Sequence, residues 1–378
     1  MNKIYINNES IIVLDPTPEI IGFLKGIDPS YEIKPVFHQK YFVPKFQESR
    51  KIMVDLDHHC LSGLGLTELL EVHNKVPAKN TPNPEHNSIT FLDLKKEIAF
   101  RQMRQCGFCA HKCKTNRYVQ KGLCGLDHKA YHAKPFIHIG EEDVINPALV
   151  VNFAGCSMNC VFCIDTNIKN PEKLKPLNIK EFWSDIEQLS KSNIPPNTLE
   201  FAGGNPTESL PWVCEILHAA PSHFNLPIVW NSNLYTAKAS LNLLDNIVDV
   251  YLPDFTFGND ECAKRLAAVD NYWEIASKAV DEIINLKAKI IFRILVLPNH
   301  VKCCHEPVLR YLSNYRNQVW VSILDQYVPE HMAYLQTDIN RRPTKDEISE
   351  VERLAREYGL RNIASDNGNF WNAQGGVK

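Results

Sequence analysis

Six short apolar, β-branched runs recur between residues 148 and 324, separated by stretches of helical periodicity. This alternation restricts the fold more than any other feature of the sequence. The runs are 148–153, 198–202, 228–231, 248–252, 289–297 and 319–324. The clearest helix-like stretch is 178–193, where Ile179, Phe182, Trp183, Ile186 and Leu189 share one face and Asn178 with Glu181 resembles a capping box. Others cover about 209–219, 237–245, 272–286 and 306–314, and a final helix is opened by Thr344 with Glu347 and stopped by Gly359. Strands alternating with helices indicate parallel βαβ units. Right-handed crossovers wrap such units into a twisted sheet or a partial barrel, with chemistry at the carboxyl ends of the strands.

The rest of the chain divides around this core, which spans 147–330. Residues 1–100 read as a separate mixed α/β extension, with short strands in Lys3–Asn7 and at 11–14 and a Pro- and Asn-rich linker over 76–88. A cysteine-rich segment follows over 101–146, and 331–378 hold the last helix and a mobile tail after Ser365. A net charge of -3 and a pI near 6.5 argue against a nucleic-acid or anionic-membrane partner. No secretory start and no long apolar run are evident, so a cytosolic location is expected.

In that setting the twelve cysteines read as metal ligands or core residues rather than a disulfide framework. One group, Cys156-x3-Cys160-x2-Cys163, lies in the loop after the first run, with Gly155 relieving crowding before it. Three thiolates there leave one iron of a cubane open to bind and activate a ligand. The same spacing also suits part of a zinc site completed from elsewhere. A second group, Cys106, Cys109, Cys113 and Cys124, can close a tetrahedral zinc site or hold a second iron–sulfur cluster, with His111 as a substitute ligand. Cys214 and Cys262 sit in helix-like segments and read as small buried hydrophobes, and the Cys303-Cys304 pair needs no function. The run Asp55 to Cys60 reads as a polar turn.

The C-x3-C-x2-C spacing with Phe162 before the last cysteine resembles the radical S-adenosylmethionine (SAM) superfamily, and the six strands agree with its partial (β/α)6 TIM-like barrel. The resemblance implies a [4Fe-4S] cluster on Cys156, Cys160 and Cys163 that cleaves SAM reductively to a 5'-deoxyadenosyl radical for hydrogen abstraction. It places Phe162 near the adenine. Gly203-Gly204-Asn205-Pro206, after the second run, resembles the family's Gly-Gly-Glu-Pro-like SAM-binding motif, with Asn205 where an acid is usual. Segments at 252–255, 297–300 and 325–327 resemble proteins related to pyruvate formate-lyase activating enzyme, with Thr256 where relatives often carry lysine. By this likeness Asn233, Asp254 and Arg293 contact SAM, an electron donor such as flavodoxin or ferredoxin is the partner, and a protein or peptide is the substrate. The competing expectation is an electron-transfer or zinc-stabilised interaction protein on a degenerate barrel.

Overall fold

The computed structural model describes residues 43–76 and 88–364, together with the short segments 4–6, 10–14, 23–24 and 32–36. Most of the linker over 76–88 and the tail after Ser365 lie outside the described residues. The six runs form strands β1 (Ala148–Phe153), β2 (Thr198–Gly203), β3 (Ile228–Ser232), β4 (Val250–Pro253), β5 (Lys289–Leu295) and β6 (Trp320–Leu324). Each pairs in parallel with its neighbour, in sequential order. The order is open rather than circular: a short strand Arg361–Asn362 extends the β6 edge, and antiparallel strands Phe136–His138 and Tyr131–His132 cover the β1 edge. The architecture is thus α/β, a parallel sheet of the kind expected from the sequence.

Crossovers are made by α1 (Ile179–Ser190), α2 (Leu210–His218), α3 (Lys238–Leu244), α4 (Asp260–Ala267), α5 (Tyr272–Asn285) and α6 (Glu306–Leu312), and α7 (Lys345–Glu357) follows β6. Asn178 caps α1 by accepting from Lys180 N–H and Glu181 N–H, and the Thr344–Glu347 capping box opens α7. The sequence pattern showed α4 only as a helix-like segment around Cys262, without bounds. It is only eight residues long, and four of its side chains are charged.

Side chains alternate between the two faces of each strand. Outward residues such as Leu149, Leu199, Trp230 and Phe292 join the helices in one large core. Inward residues Val229, Val250, Leu252, Ile291 and Trp320, with Ile145, form a second apolar cluster. Two residues further along β3 and β5, the same inward face carries Asn231 and Arg293, and β2 contributes Glu200. The interior therefore changes from apolar to polar toward the carboxyl ends, as a site there requires.

Within the N-terminal segment, the described residues 43–76 and 88–100 pack against this core. Phe46, Leu69 and Ile98 belong to the same apolar cluster as Phe182 and Val213. Lys45 N–H donates to Asp249 Oδ1 at 3.1 Å, and Ser49 Oγ donates to the Asn246 carbonyl at 2.6 Å. Sequence periodicity cannot report this, because packing partners of a segment lie elsewhere in the chain. Over 53–63 a strand, Met53–Asp57, runs straight into the helix His58–Gly63 where a turn was expected. No helix among the described residues is long and apolar enough to cross a membrane.

Candidate active site

The cysteine loop leaves β1 at its carboxyl end and turns through Gly155, whose φ of +81° belongs to the left-handed region that glycine tolerates. A Cβ at Gly155 would lie 2.6 Å from Leu126 Cγ, so the loop is seated on the cysteine-rich segment. The second glycine pair is explained by the same loop. A Cβ at Gly204 would sit 2.2 Å from the Gly155 carbonyl oxygen, and one at Gly203 would sit 2.4 Å from Phe153 backbone atoms. Gly204 N–H donates to the Phe153 carbonyl (2.9 Å) and Asn205 N–H to the Gly155 carbonyl (3.0 Å). Gly203 thus admits the end of β1 at close range, and Gly204 the backbone of the cysteine loop.

Cys156 and Cys160 interact electrostatically with each other, as do Cys160 and Cys163. Burial pushes the Cys156 thiol far up and the Cys160 thiol to about 12. Such thiols are neutral on their own and ionise only when a metal supplies positive charge. This donor set, on one loop at a strand end, fits an iron–sulfur cluster. Asn233 bridges outward from β3: its Nδ2 donates to Ser157 Oγ (3.4 Å) and lies 3.6 Å from Cys156 Sγ, while its N–H donates to Asn205 Oδ1 (3.2 Å). Phe162 packs half-buried between Phe257 and Tyr327, with ring centroids 6.3 and 6.0 Å away.

Glu208 is the residue that sequence reasoning passed over. Its Oε2 accepts from Asn205 Nδ2 at 2.7 Å, Ser157 also hydrogen-bonds it, and Oε1 is buried without a partner. Burial raises its carboxyl to about 7, against the pull of these donors. A buried carboxyl thus stands beside Asn205, three residues later, one turn along the short helix Pro206–Ser209. The i, i+3 spacing of Asn205 and Glu208 was the available signal.

Asp254 and Arg293 lie deeper. Arg293 clasps Glu142 in a bidentate pair, Nε to Oε1 at 2.9 Å and Nη2 to Oε2 at 2.6 Å. Burial raises Asp254 to about 6, opposed by Arg293. Glu200 accepts from Asn231 Nδ2 at 2.8 Å, and its charge also acts on Arg293. One guanidinium therefore faces Glu142, Glu200 and Asp254. The structure brings Asn205, Asn233 and the cysteine loop into contact; Arg293 is committed to Glu142.

The four cysteines of the second group are also gathered. A Cβ on Gly122 would lie 3.6 Å from Cys124 Sγ and 3.8 Å from Cys113 Sγ, so they share one small region, but no three of the four sulfurs lie within 4.8 Å of one another. Arg117, fully buried, hydrogen-bonds Cys106 and donates to the Glu208 carbonyl at 2.6 Å, with Nη2 left unpartnered. Metal-bound thiolates at Cys106 and Cys124 would add negative charge beside this buried guanidinium, which already acts on the Glu208 carboxyl. His111, considered as a ligand, instead places Nε2 2.7 Å from the Ser157 carbonyl, tying this segment to the cysteine loop.

Residues 147–268 match the family described as a 4Fe-4S single cluster domain. Over 311 residues the chain is 38% identical to a Methanocaldococcus jannaschii protein named "Uncharacterized protein MJ0674", covering 79% of this chain and 90% of that one. The chain belongs to that protein's family. Among solved structures, HydG, a maturase of the [FeFe]-hydrogenase, is similar at 11% identity and a TM-score of 0.41, over 83% of this chain and 65% of its own. Native anSMEcpe with bound AdoMet gives 11% and 0.41 over 57% and 63%, and methylornithine synthase (PylB) gives 14% and 0.38 over 79% and 76%. The chain spans less than two thirds of the first two.

Proposed function

We propose that the chain is a radical SAM enzyme of the kind related to pyruvate formate-lyase activating enzyme, acting on a protein or peptide. The observation that carries this reading is the Cys156, Cys160 and Cys163 trio on the loop after the first of six parallel strands, inside the stretch that matches a 4Fe-4S single cluster domain. A [4Fe-4S] cluster with one open iron supplies one-electron reductive cleavage of SAM, giving methionine and a 5'-deoxyadenosyl radical for hydrogen abstraction. The three cysteines hold it as thiolates. Gly155, Gly203 and Gly204 let the loop nest against β2, and Asn233 fixes it from β3. Glu208, with an unpartnered oxygen, gives this end of the sheet a carboxylate for a cationic amino group. Asp254 and Glu200 add polar acceptors, and Phe162 offers a ring face to a purine.

The electron reaches such a site from a donor of the flavodoxin or ferredoxin type, in the cytosol. Zinc or a second cluster at Cys106, Cys109, Cys113 and Cys124 braces the loop from outside. The test is anaerobic reconstitution with iron and sulfide, then chemical reduction with SAM present. 5'-Deoxyadenosine is expected, and replacing all three loop cysteines by alanine abolishes it and lowers the iron content by the four irons of this cluster. A chain with its full iron complement that releases no 5'-deoxyadenosine is instead the electron-transfer protein.

A further inference from the structure

We propose that Cys262, His300, Cys303 and Cys304 bind a single thiophilic divalent ion, zinc by its chemistry, which clamps α4 to the chain that follows β5. Among the described residues it is this group whose ligand atoms all lie within 4.8 Å of one another. Cys262 Sγ is 4.0 Å from Cys303 Sγ, and Cys303 Sγ is 3.8 Å from Cys304 Sγ. Zinc–thiolate bonds of about 2.3 Å at tetrahedral angles set sulfurs about 3.8 Å apart. A cubane spreads its terminal thiolates over four irons, so a grouping this tight suits one ion.

The surroundings are arranged as a metal site's are. His300 is buried, and its Nδ1 lies 2.8 Å from the Pro298 carbonyl. Nδ1–H therefore donates there and Nε2 carries the lone pair, the tautomer a ligand needs, with a ring nitrogen within 4.8 Å of the sulfurs. Arg265 Nη2 and Asp338 Oδ2 each stand 3.5 Å from Nε2, and the two are paired with each other. Asn259 Nδ2 donates to the Cys303 carbonyl (2.7 Å) and lies 3.3 Å from Cys262 Sγ and 3.6 Å from Cys304 Sγ, giving the thiolates an outer donor. The π-helical turn Val301–His305 places Cys303 and Cys304 at i+3 and i+4 from His300, on its side of the turn. Cys304 is buried and Cys303 is exposed, which leaves an entry path.

The clamp has a consequence for the cysteine loop. The last carbonyls of α4 accept from it: Val161 N–H donates to Leu266 O and Asn159 N–H to Ala267 O, both at 2.8 Å. Holding α4 in place holds the outer side of that loop. The proposal itself stands apart from the radical SAM reading, because its test counts metal.

The full chain is purified anaerobically from zinc-supplemented cells, and zinc and iron are measured by mass spectrometry beside Cys262→Ser and Cys303→Ser. Each variant is expected to carry one zinc equivalent fewer, with iron and the circular dichroism spectrum unchanged for the exposed Cys303→Ser. Cobalt(II) added to the metal-stripped chain is a second measurement. Wild type gains intense tetrahedral d–d bands and thiolate charge transfer, and Cys303→Ser loses the share due to this site. Equal zinc in all three proteins, or a disulfide among these cysteines in freshly alkylated wild type, overturns the proposal.

Discussion

Glycine 204 shows how much of the site rests on single atoms. A methyl there meets the Gly155 carbonyl oxygen at 2.2 Å, and that atom is backbone with nowhere to rotate. Gly204→Ala is therefore expected to cost ~1–3 kcal/mol, the range for overpacking, and to displace the cysteine loop. Iron per chain after reconstitution is expected to fall at least twofold while far-ultraviolet dichroism is kept; full iron content would contradict the nesting of loop on strand. His73 carries a different kind of prediction. Its Nε2 accepts from the buried Lys95 ammonium at 3.0 Å, and burial, then Lys95, lower its pKa from 6.5 to about 3. Folding thus favours the neutral ring. The stability it contributes is complete above pH 6.5 and is lost as pH falls toward 3, at ~1.4 kcal/mol per pH unit where only the unfolded ring is protonated. His73→Gln keeps an acceptor and does not titrate, so its melting temperature should decline less steeply between pH 6.5 and 4. Parallel curves would remove His73 from the acid response. Neither effect is visible in sequence, since both depend on what a residue touches. The three loop cysteines were legible because their spacing is local.

Elements were read well where their pattern was long. The six strands and the amphipathic α1 carried their own periodicity, and each observed strand overlaps its expected run. The short α4 was legible only as a helix-like segment around Cys262, and the π-helical turn has no sequence signature. As a result the Cys262 group, which joins positions 41 residues apart, was invisible as a cluster. The capping box of α7 was legible, yet its wider role was not. Glu347 accepts from Thr344 N–H at 2.7 Å, from Asn299 N–H at 2.6 Å and from Arg341 at 2.8 and 2.9 Å. Thr344→Ala removes only the cap to Glu347 N–H and should cost about 1 kcal/mol. Glu347→Ala releases the turn after β5 as well and should cost at least twice that. Urea unfolding midpoints at constant slope check the ranking; equal losses would mean that the Asn299 and Arg341 contacts add nothing.

At the scale of the whole molecule, the cysteine-rich segment and the cysteine loop form one structure although the sequence presents them as separate motifs. Leu126 fills the space over Gly155, Arg117 reaches the Glu208 carbonyl, and Ala110 N–H donates to the Tyr235 carbonyl at 3.2 Å. His111 is the contact that can be removed without touching a thiol. It bonds the Ser157 carbonyl at 2.7 Å and meets Tyr235 edge-on at a centroid distance of 5.0 Å. Ser157 lies between Cys156 and Cys160, so this bond restrains the backbone that spaces two ligands. His111→Ala leaves every cysteine in place, and initial iron content should match wild type. The loop should open more often, and iron should pass to a strong ferrous chelator several-fold faster under anaerobic conditions. Cys113→Ser, which disturbs the segment from its far side, should accelerate release in the same direction. If both variants release iron at the wild-type rate, the two motifs are neighbours without coupling, and the segment's metal has a task of its own.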